Sequence, residues 1–159
     1  MKHFHVLSIT FLLSIYSTSL YSDEPRQWGE NVTGVVTTFK SDKKQIALTF
    51  DACGGSRSSS QYDAELISFL ITNQIPATLF INARWIDTNP EIFKQLSSNP
   101  LFEIANHGTA HRPLSTTGKS VYGIAGTASE EEVIAEIEGN GKKIEQLTGK
   151  RPAFFRSGT

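Results

Sequence analysis

Ile46-Ala-Leu-Thr-Phe50 is a nearly continuous apolar run, and Asp51-Ala-Cys-Gly-Gly55 follows it directly. An uninterrupted run of this length predicts a strand with both faces buried, as strands of parallel sheets usually are. Asp51 would then stand at the carboxyl end of that strand, and the two glycines would open a flexible loop. A glycine-rich loop can bind phosphate, but no Gly-Lys-Ser/Thr sequence follows here, and this weakens the phosphate interpretation.

The rest of the chain alternates predicted strands with predicted helices. Runs of apolar or β-branched residues predict strands at residues 31–39, 75–81, 102–105 and 153–155. Capping signals predict helices at residues 62–73 behind Ser60-Gln-Tyr-Asp63, from Asn89-Pro90 onward, and from Ser129-Glu-Glu-Glu132 to about residue 147. This alternation predicts an α/β fold with a parallel sheet or barrel.

Three residues with useful chemistry follow three of these strands. Asp51, His107 and Arg156 each stand at or just beyond a predicted strand end. Because ligands of parallel α/β folds bind at the carboxyl ends of the strands, we expect the three side chains to share one site.

Asn106-His-Gly-Thr-Ala-His111 carries two histidines four positions apart. This spacing places both rings on one side of a helical turn or at the mouth of a tight loop, where neutral imidazoles can hold a metal ion. The alternative is a pair of unrelated polar histidines in a loop.

The composition limits the classes of function. The chain has 159 residues, of which 38% are hydrophobic and ten are phenylalanine, so one domain with a sizeable core can form. Its 15 basic and 16 acidic residues show no basic stripe, so we expect no nucleic-acid partner. A neutral or weakly charged substrate is more consistent with this balance.

The N-terminus is typical of an exported protein. Residues 1–22 predict a signal peptide, with Met1-Lys2-His3 before an apolar run, and residues 23–43 predict a linker and strand. An uncleaved membrane anchor is the alternative, but serines and a threonine interrupt the run, and it falls short of the roughly 20 residues that a span needs. We therefore expect a secreted or periplasmic protein without a stable anchor after cleavage. Cys53 is the single cysteine, so no internal disulfide can form.

Four ordered motifs carry a resemblance to a known family. They are Leu48-Thr-Phe-Asp-Ala-Cys-Gly-Gly55, Ile75-Pro-Ala-Thr-Leu-Phe-Ile81, Asn106-His-Gly-Thr-Ala-His111 and Phe154-Phe-Arg-Ser-Gly158. Together they resemble the polysaccharide deacetylase family, also called the NodB homology domain or carbohydrate esterase family 4, over residues 44–159.

The resemblance implies part of a distorted (β/α) barrel that binds a divalent metal, usually zinc. It implies removal of acetyl groups from a polysaccharide such as peptidoglycan, chitin or xylan. Carried onto this sequence, it makes Asp51 the general base, His107 and His111 the metal ligands, and Arg156 the residue that orients the base.

Two departures from the family pattern matter. The family usually has a second aspartate as third metal ligand where this chain has Ala52, and the candidates to replace it are Asp51, Cys53 and Asp63. The family also continues beyond the arginine motif and supplies a later histidine, so we expect an incomplete barrel and either a fragment of a longer reading frame or a gene remnant.

Two other functions remain open at this point. A non-catalytic glycan-binding remnant could stack Trp28, Trp85 or Tyr122 on sugar rings, although Trp85 is more consistent with core packing. A metal-dependent hydrolase of a non-sugar amide or cyclic imide would use the same metal site on a different substrate.

Overall fold

The structure is a computed structural model that describes residues 31–38 and 40–158. It separates into two units, Met1–Lys44 and Gln45–Thr159, which are described separately. The predicted signal peptide and the first part of the predicted linker lie outside the described residues.

The strand predicted at residues 31–39 is wrong for the described part, 31–38, which forms a turn and irregular backbone. Val35 N–H donates to the carbonyl of Val32 at 3.1 Å, and Gly34 takes a positive φ of 90°. A turn of this kind reverses the chain in the middle of the β-branched run, and Val36 is left 81% exposed.

The second unit is built on a parallel sheet, as predicted. Its strands are β1 (Thr49–Ala52), β2 (Ala77–Ile81) and β3 (Phe102–Asn106), in that order. Thr49 pairs with Thr78 at the start of β1, so the strand begins three residues later than the predicted residue 46. Ile46 is 85% exposed, because it precedes the residues that find partners on β2.

The fourth strand predicted at residues 153–155 is reduced to a single parallel bridge between Asn106 and Phe155. Asn106 N–H donates to the carbonyl of Phe154, and Arg156 N–H donates to the carbonyl of Asn106, both at 2.9 Å. The segment therefore lies beside β3, but its pairing is too short to form the predicted strand.

Four helices cover the sheet: α1 (Ala64–Thr72), α2 (Ala83–Thr88), α3 (Pro90–Ser98) and α4 (Glu130–Thr148). Asp63 caps α1, since its side chain accepts from Leu66 N–H at 2.9 Å, and the capping box predicted to start at Ser60 is wrong. Helix α2 was not predicted, although Asn82 directly before it is a recognisable N-cap that accepts from Arg84 N–H at 3.0 Å.

Helix α4 begins and ends as its sequence predicts. Ser129 Oγ accepts from Glu132 N–H at 3.3 Å, while the Glu132 carboxylate accepts from Ala128 N–H at 3.1 Å. Gly149 ends the helix in the left-handed conformation, with φ of 74°.

The hydrophobic core lies between the sheet and the helices. Its buried residues include Ile81 of β2, Trp85 of α2, Phe93 of α3 and Ile144 of α4. Trp85 is 3% exposed and its indole N–H donates to the carbonyl of Gln61 at 3.1 Å, which confirms its core role. Within residues 31–38 and 40–158, no helix is long and apolar enough to cross a membrane.

Candidate active site and metal centre

The carboxyl ends of the strands meet at one edge of the sheet, where the predicted site residues lie together. Asp51 belongs to β1, His107 follows β3, and Arg156 follows the segment bridged to β3. The structure therefore brings together the three residues that the strand-end argument selected, and it adds His111 and Cys53 to them.

Asp51 and Arg156 form an ion pair across the sheet edge. Arg156 Nη1 lies 2.6 Å from Asp51 Oδ1, and Nη2 donates to Thr49 Oγ1 at 3.0 Å. The guanidinium carbon lies 4.0 Å from the centre of the Phe80 ring, within cation–π range. These contacts fix the direction of the guanidinium, which in turn orients the Asp51 carboxylate.

The backbone of Arg156 also orients His107. His107 is 2% exposed, and its Nδ1 lies 3.0 Å from the carbonyl oxygen of Arg156. A carbonyl can only accept, so Nδ1 carries the proton and Nε2 is the acceptor nitrogen, within hydrogen-bond range of the Cys53 thiol. That Nε2 lies 3.7 Å from Cys53 Sγ. A carbonyl on the far nitrogen is the usual partner of a metal-binding histidine.

His111 completes the imidazole pair in a tight loop, one of the two geometries that the spacing allowed. Its ring centre lies 4.8 Å from that of His107, at an interplanar angle of 83°. A Cβ atom on Gly158 would lie 2.7 Å from His111 Cγ, so this close approach requires glycine. Burial, followed by the nearby His107, lowers the pKa of His111, which favours the neutral form that binds metals.

Helix α4 holds the loop between the two histidines. The carboxylate of Glu136, a residue only 6% exposed, accepts from Ala110 N–H at 2.9 Å and from Arg112 N–H at 3.2 Å. Thr109 Oγ1 donates to the carbonyl of Glu136 at 2.8 Å. Glu136 was not predicted from the sequence, although a glutamate on the same helical face as the buried Ile144 is a signal of a structural polar contact.

Buried amides join this loop to the ends of β2 and β3. Asn82 Nδ2 donates to the carbonyls of His107 and Gly108 at 2.9 and 2.8 Å. Asn140 Nδ2 donates to Asn106 Oδ1 at 2.8 Å, and Asn106 Oδ1 also accepts from Gly108 N–H at 2.9 Å. The backbone around His107 is therefore tied to β2, β3 and α4, a set of contacts that sequence reasoning did not anticipate.

Cys53, His107 and His111 form a candidate metal centre. One donor atom from each residue lies within 4.8 Å of the other two. Burial, and next the negative charge of Asp51, raise the pKa of the Cys53 thiol, while Arg84 lowers it. A thiol with a raised pKa is a poor free nucleophile, because the thiolate is the reactive form. A sulfur and two imidazole nitrogens are nevertheless a donor set that zinc accepts, so these residues fit a metal.

The sequence profile of the polysaccharide deacetylase family matches residues 39–159. The chain belongs to the polysaccharide deacetylase family. This match includes all the strands, the ion pair and the candidate metal centre described above, and it confirms the family that the four motifs indicated.

The individual proteins that resemble this chain share low sequence identity with it. The uncharacterized protein YlxY of Bacillus subtilis (strain 168) is 24% identical over 116 residues, which cover 72% of this chain and 31% of that protein. The structure of the peptidoglycan deacetylase PdaC of Bacillus subtilis is 24% identical, with a TM-score of 0.53, covering 73% of this chain and 50% of PdaC.

A third similar structure is a family 4 carbohydrate esterase (CE4) pseudoenzyme of Bacillus anthracis. It is 21% identical with a TM-score of 0.53, covering 72% of this chain and 35% of that protein. This chain thus spans half or less of the length of the relatives it matches. This structural similarity confirms that the fold is α/β and that it matches part of the deacetylase barrel.

Proposed function

We propose that this protein is a metal-dependent hydrolase that removes acetyl groups, most readily N-acetyl groups, from a cell-wall or extracellular polysaccharide. The observation that carries the proposal is the Asp51–Arg156 ion pair beside two imidazoles with ring centres 4.8 Å apart. Membership of the polysaccharide deacetylase family supports the same reaction class. The reaction would break a carbon–nitrogen bond that is not a peptide bond.

His107 and His111 would hold a divalent metal, of which zinc fits imidazole ligands well. A metal bound there would polarise the acetyl carbonyl and lower the pKa of a water toward about 7. Asp51 would take the proton from the attacking water and later help deliver it to the leaving amine. Arg156 would keep the Asp51 carboxylate pointing at that water, since Nη1 holds Oδ1 at 2.6 Å.

The fold by itself does not decide activity, because the similar structures include both a peptidoglycan deacetylase and a pseudoenzyme. The choice between an enzyme and a pseudoenzyme depends on whether the acid–base residue and the metal donors are both present. Here Asp51, His107 and His111 are all present and lie at one sheet edge. This arrangement supports an enzyme over a glycan-binding remnant, and the burial of Trp85 removes one of the proposed sugar-stacking residues.

The test is acetate release from an acetylated chito-oligosaccharide by the zinc-loaded, intact gene product. Replacement of Asp51 by Asn should lower turnover by about 10²–10⁴-fold, the usual contribution of a general base, while zinc remains bound. Asp87→Asn is the matched control, because Asp87 is an exposed carboxylate that pairs with Lys143. Its turnover should equal that of the wild type.

Three results would contradict the assignment of a polysaccharide deacetylase with Asp51 as its base. Loss of zinc in Asp51→Asn would make Asp51 a ligand and not the base. Opening of small cyclic imides without acetate release would favour a hydrolase of non-sugar substrates. Sugar binding that survives His107→Ala and His111→Ala, without turnover in the wild type, would favour the glycan-binding remnant.

We also propose that the protein is exported to the periplasm or the medium. The basic start and interrupted apolar run of residues 1–22 support a cleaved leader. N-terminal sequencing of the mature protein should begin near residue 20 or 23. A mature protein that starts at Met1 in the cytoplasm would contradict this proposal.

A further inference from the structure

We propose that Cys53 is the third protein ligand of the metal, bound as a thiolate in place of the carboxylate that Ala52 lacks. This inference rests on the proposed metal-dependent function and names the chemistry of its metal centre. Its basis is the cluster of Cys53 Sγ with the imidazole nitrogens of His107 and His111, all within 4.8 Å of one another.

The spacing of the Cys53 and His107 donor atoms agrees with two neighbouring positions of a tetrahedral zinc site. Zinc lies about 2.3 Å from sulfur and about 2.0 Å from an imidazole nitrogen, so a tetrahedral angle separates the two donors by about 3.5 Å. Cys53 Sγ lies 3.7 Å from His107 Nε2. Because His107 Nδ1 donates to the Arg156 carbonyl, the lone pair of Nε2 faces the sulfur, and a metal bound between them would take the place of the Cys53 S–H proton.

The other candidates for the third ligand have different partners. Asp51 is bound by Arg156 at 2.6 Å, and Asp63 accepts from Leu66 N–H as the cap of α1. Ala52 packs against the hydrophobic core. Among the residues that the structure describes, Cys53 is the donor grouped with both histidines.

Coordination by Cys53 replaces the S–H bond with a sulfur–metal bond and releases one proton to solvent, without oxidation or reduction. Two imidazoles and one thiolate would leave a fourth tetrahedral position for water or the acetyl oxygen, as catalytic zinc sites require. A thiolate also changes metal preference, because soft sulfur favours zinc and cobalt over magnesium, calcium and manganese. A carboxylate in the same position would favour the hard ions more.

The test replaces zinc by cobalt in the intact gene product and measures near-ultraviolet absorption. A cobalt–thiolate bond gives a sulfur-to-metal charge-transfer band, which should be present in the wild type and absent in Cys53→Ser. Zinc affinity of Cys53→Ser should fall by more than the roughly 10–100-fold that loss of an outer-sphere partner costs. Cys53→Asp should regain zinc affinity without the band and bind manganese more tightly than the wild type.

Ser59→Ala is the control within the same loop, because Ser59 donates to the carbonyl of Gly54 at 2.7 Å and is not one of the donor atoms. It should keep the band and the affinity. A cobalt-loaded wild type that releases acetate but lacks the band would overturn the thiolate ligand and leave the proposed function intact. A wild type that shows the band but releases no acetate would support the ligand and overturn the deacetylase.

Discussion

At the residue scale, Arg156 connects the proposed base to the proposed metal ligands. Its guanidinium holds Asp51, its carbonyl fixes the His107 ring, and its N–H binds the Asn106 carbonyl at 2.9 Å. Two residues later, Gly158 leaves space for His111. One short segment, Phe154-Phe-Arg-Ser-Gly158, therefore sets both halves of the site, which explains why a motif so far from the histidines belongs to the same chemistry.

Gly139 and Gly141 differ in what a methyl group would contact. A Cβ atom on Gly139 would lie 2.6 Å from Thr109 Oγ1, which already bonds the Glu136 carbonyl and Asn140 N–H. Gly139→Ala should therefore lower the free energy of unfolding by about 1–3 kcal/mol, the usual cost of overpacking. On Gly141 the same atom would lie 3.5 Å from Asn106 Nδ2, an ordinary contact. Gly141→Ala should therefore gain up to about 1 kcal/mol from helix propensity.

Urea unfolding followed by circular dichroism measures the free energy of unfolding of both variants. Its dependence on urea concentration should be the same in both. The two variants are matched controls for each other, because they place the same methyl group two positions apart on one helix. Equal stabilisation by both would show that Thr109 moves freely, and would contradict the contact assigned to Gly139.

At the element scale, most segments that carry a local signal in the sequence were predicted. Bounds that depend on pairing with a distant segment were not. Strands β2 and β3 are apolar runs, and α3 and α4 begin at recognisable caps, so their bounds fall within about two residues of the prediction. The start of β1 depends on where β2 offers partners, and the bridge at Phe155 depends on the free edge of β3. Neither partner is visible in the local sequence.

The candidate active site shows the same difference between local sequence signals and contacts with distant segments. Strand-end positions predicted that Asp51, His107 and Arg156 would meet, because parallel strands share one carboxyl edge. The sequence left Cys53 as one of three candidates for the third ligand, since its approach to His107 depends on the path of the loop after β1. Glu136 and Asn140 were missed for a similar reason. Glu136 accepts from backbone N–H groups of a distant loop and Asn140 donates to the Asn106 side chain of β3, and the local sequence does not identify these partners.

At the scale of the whole molecule, the proposed metal donors join separate elements of the sheet. Cys53 lies 54 residues before His107, and the two residues belong to the loops after β1 and β3. An unfolded chain does not hold these donors together, so a metal that binds them stabilises the folded state. The loop of His107 and His111 is also bound to α4 through Glu136, which extends that stabilisation beyond the sheet.

Zinc should therefore raise the melting temperature, and a chelator should reverse the rise. At 100 times the dissociation constant the gain is about 2.7 kcal/mol. For a chain of this size that corresponds to roughly 5–10 °C. Differential scanning fluorimetry with zinc, then with excess chelator, measures the shift in melting temperature. Magnesium should produce little shift, because imidazole and thiolate are poor ligands for hard ions. His111→Ala should abolish the zinc shift, since it removes one of the three donors. A full zinc shift in that variant would place the metal elsewhere on the protein.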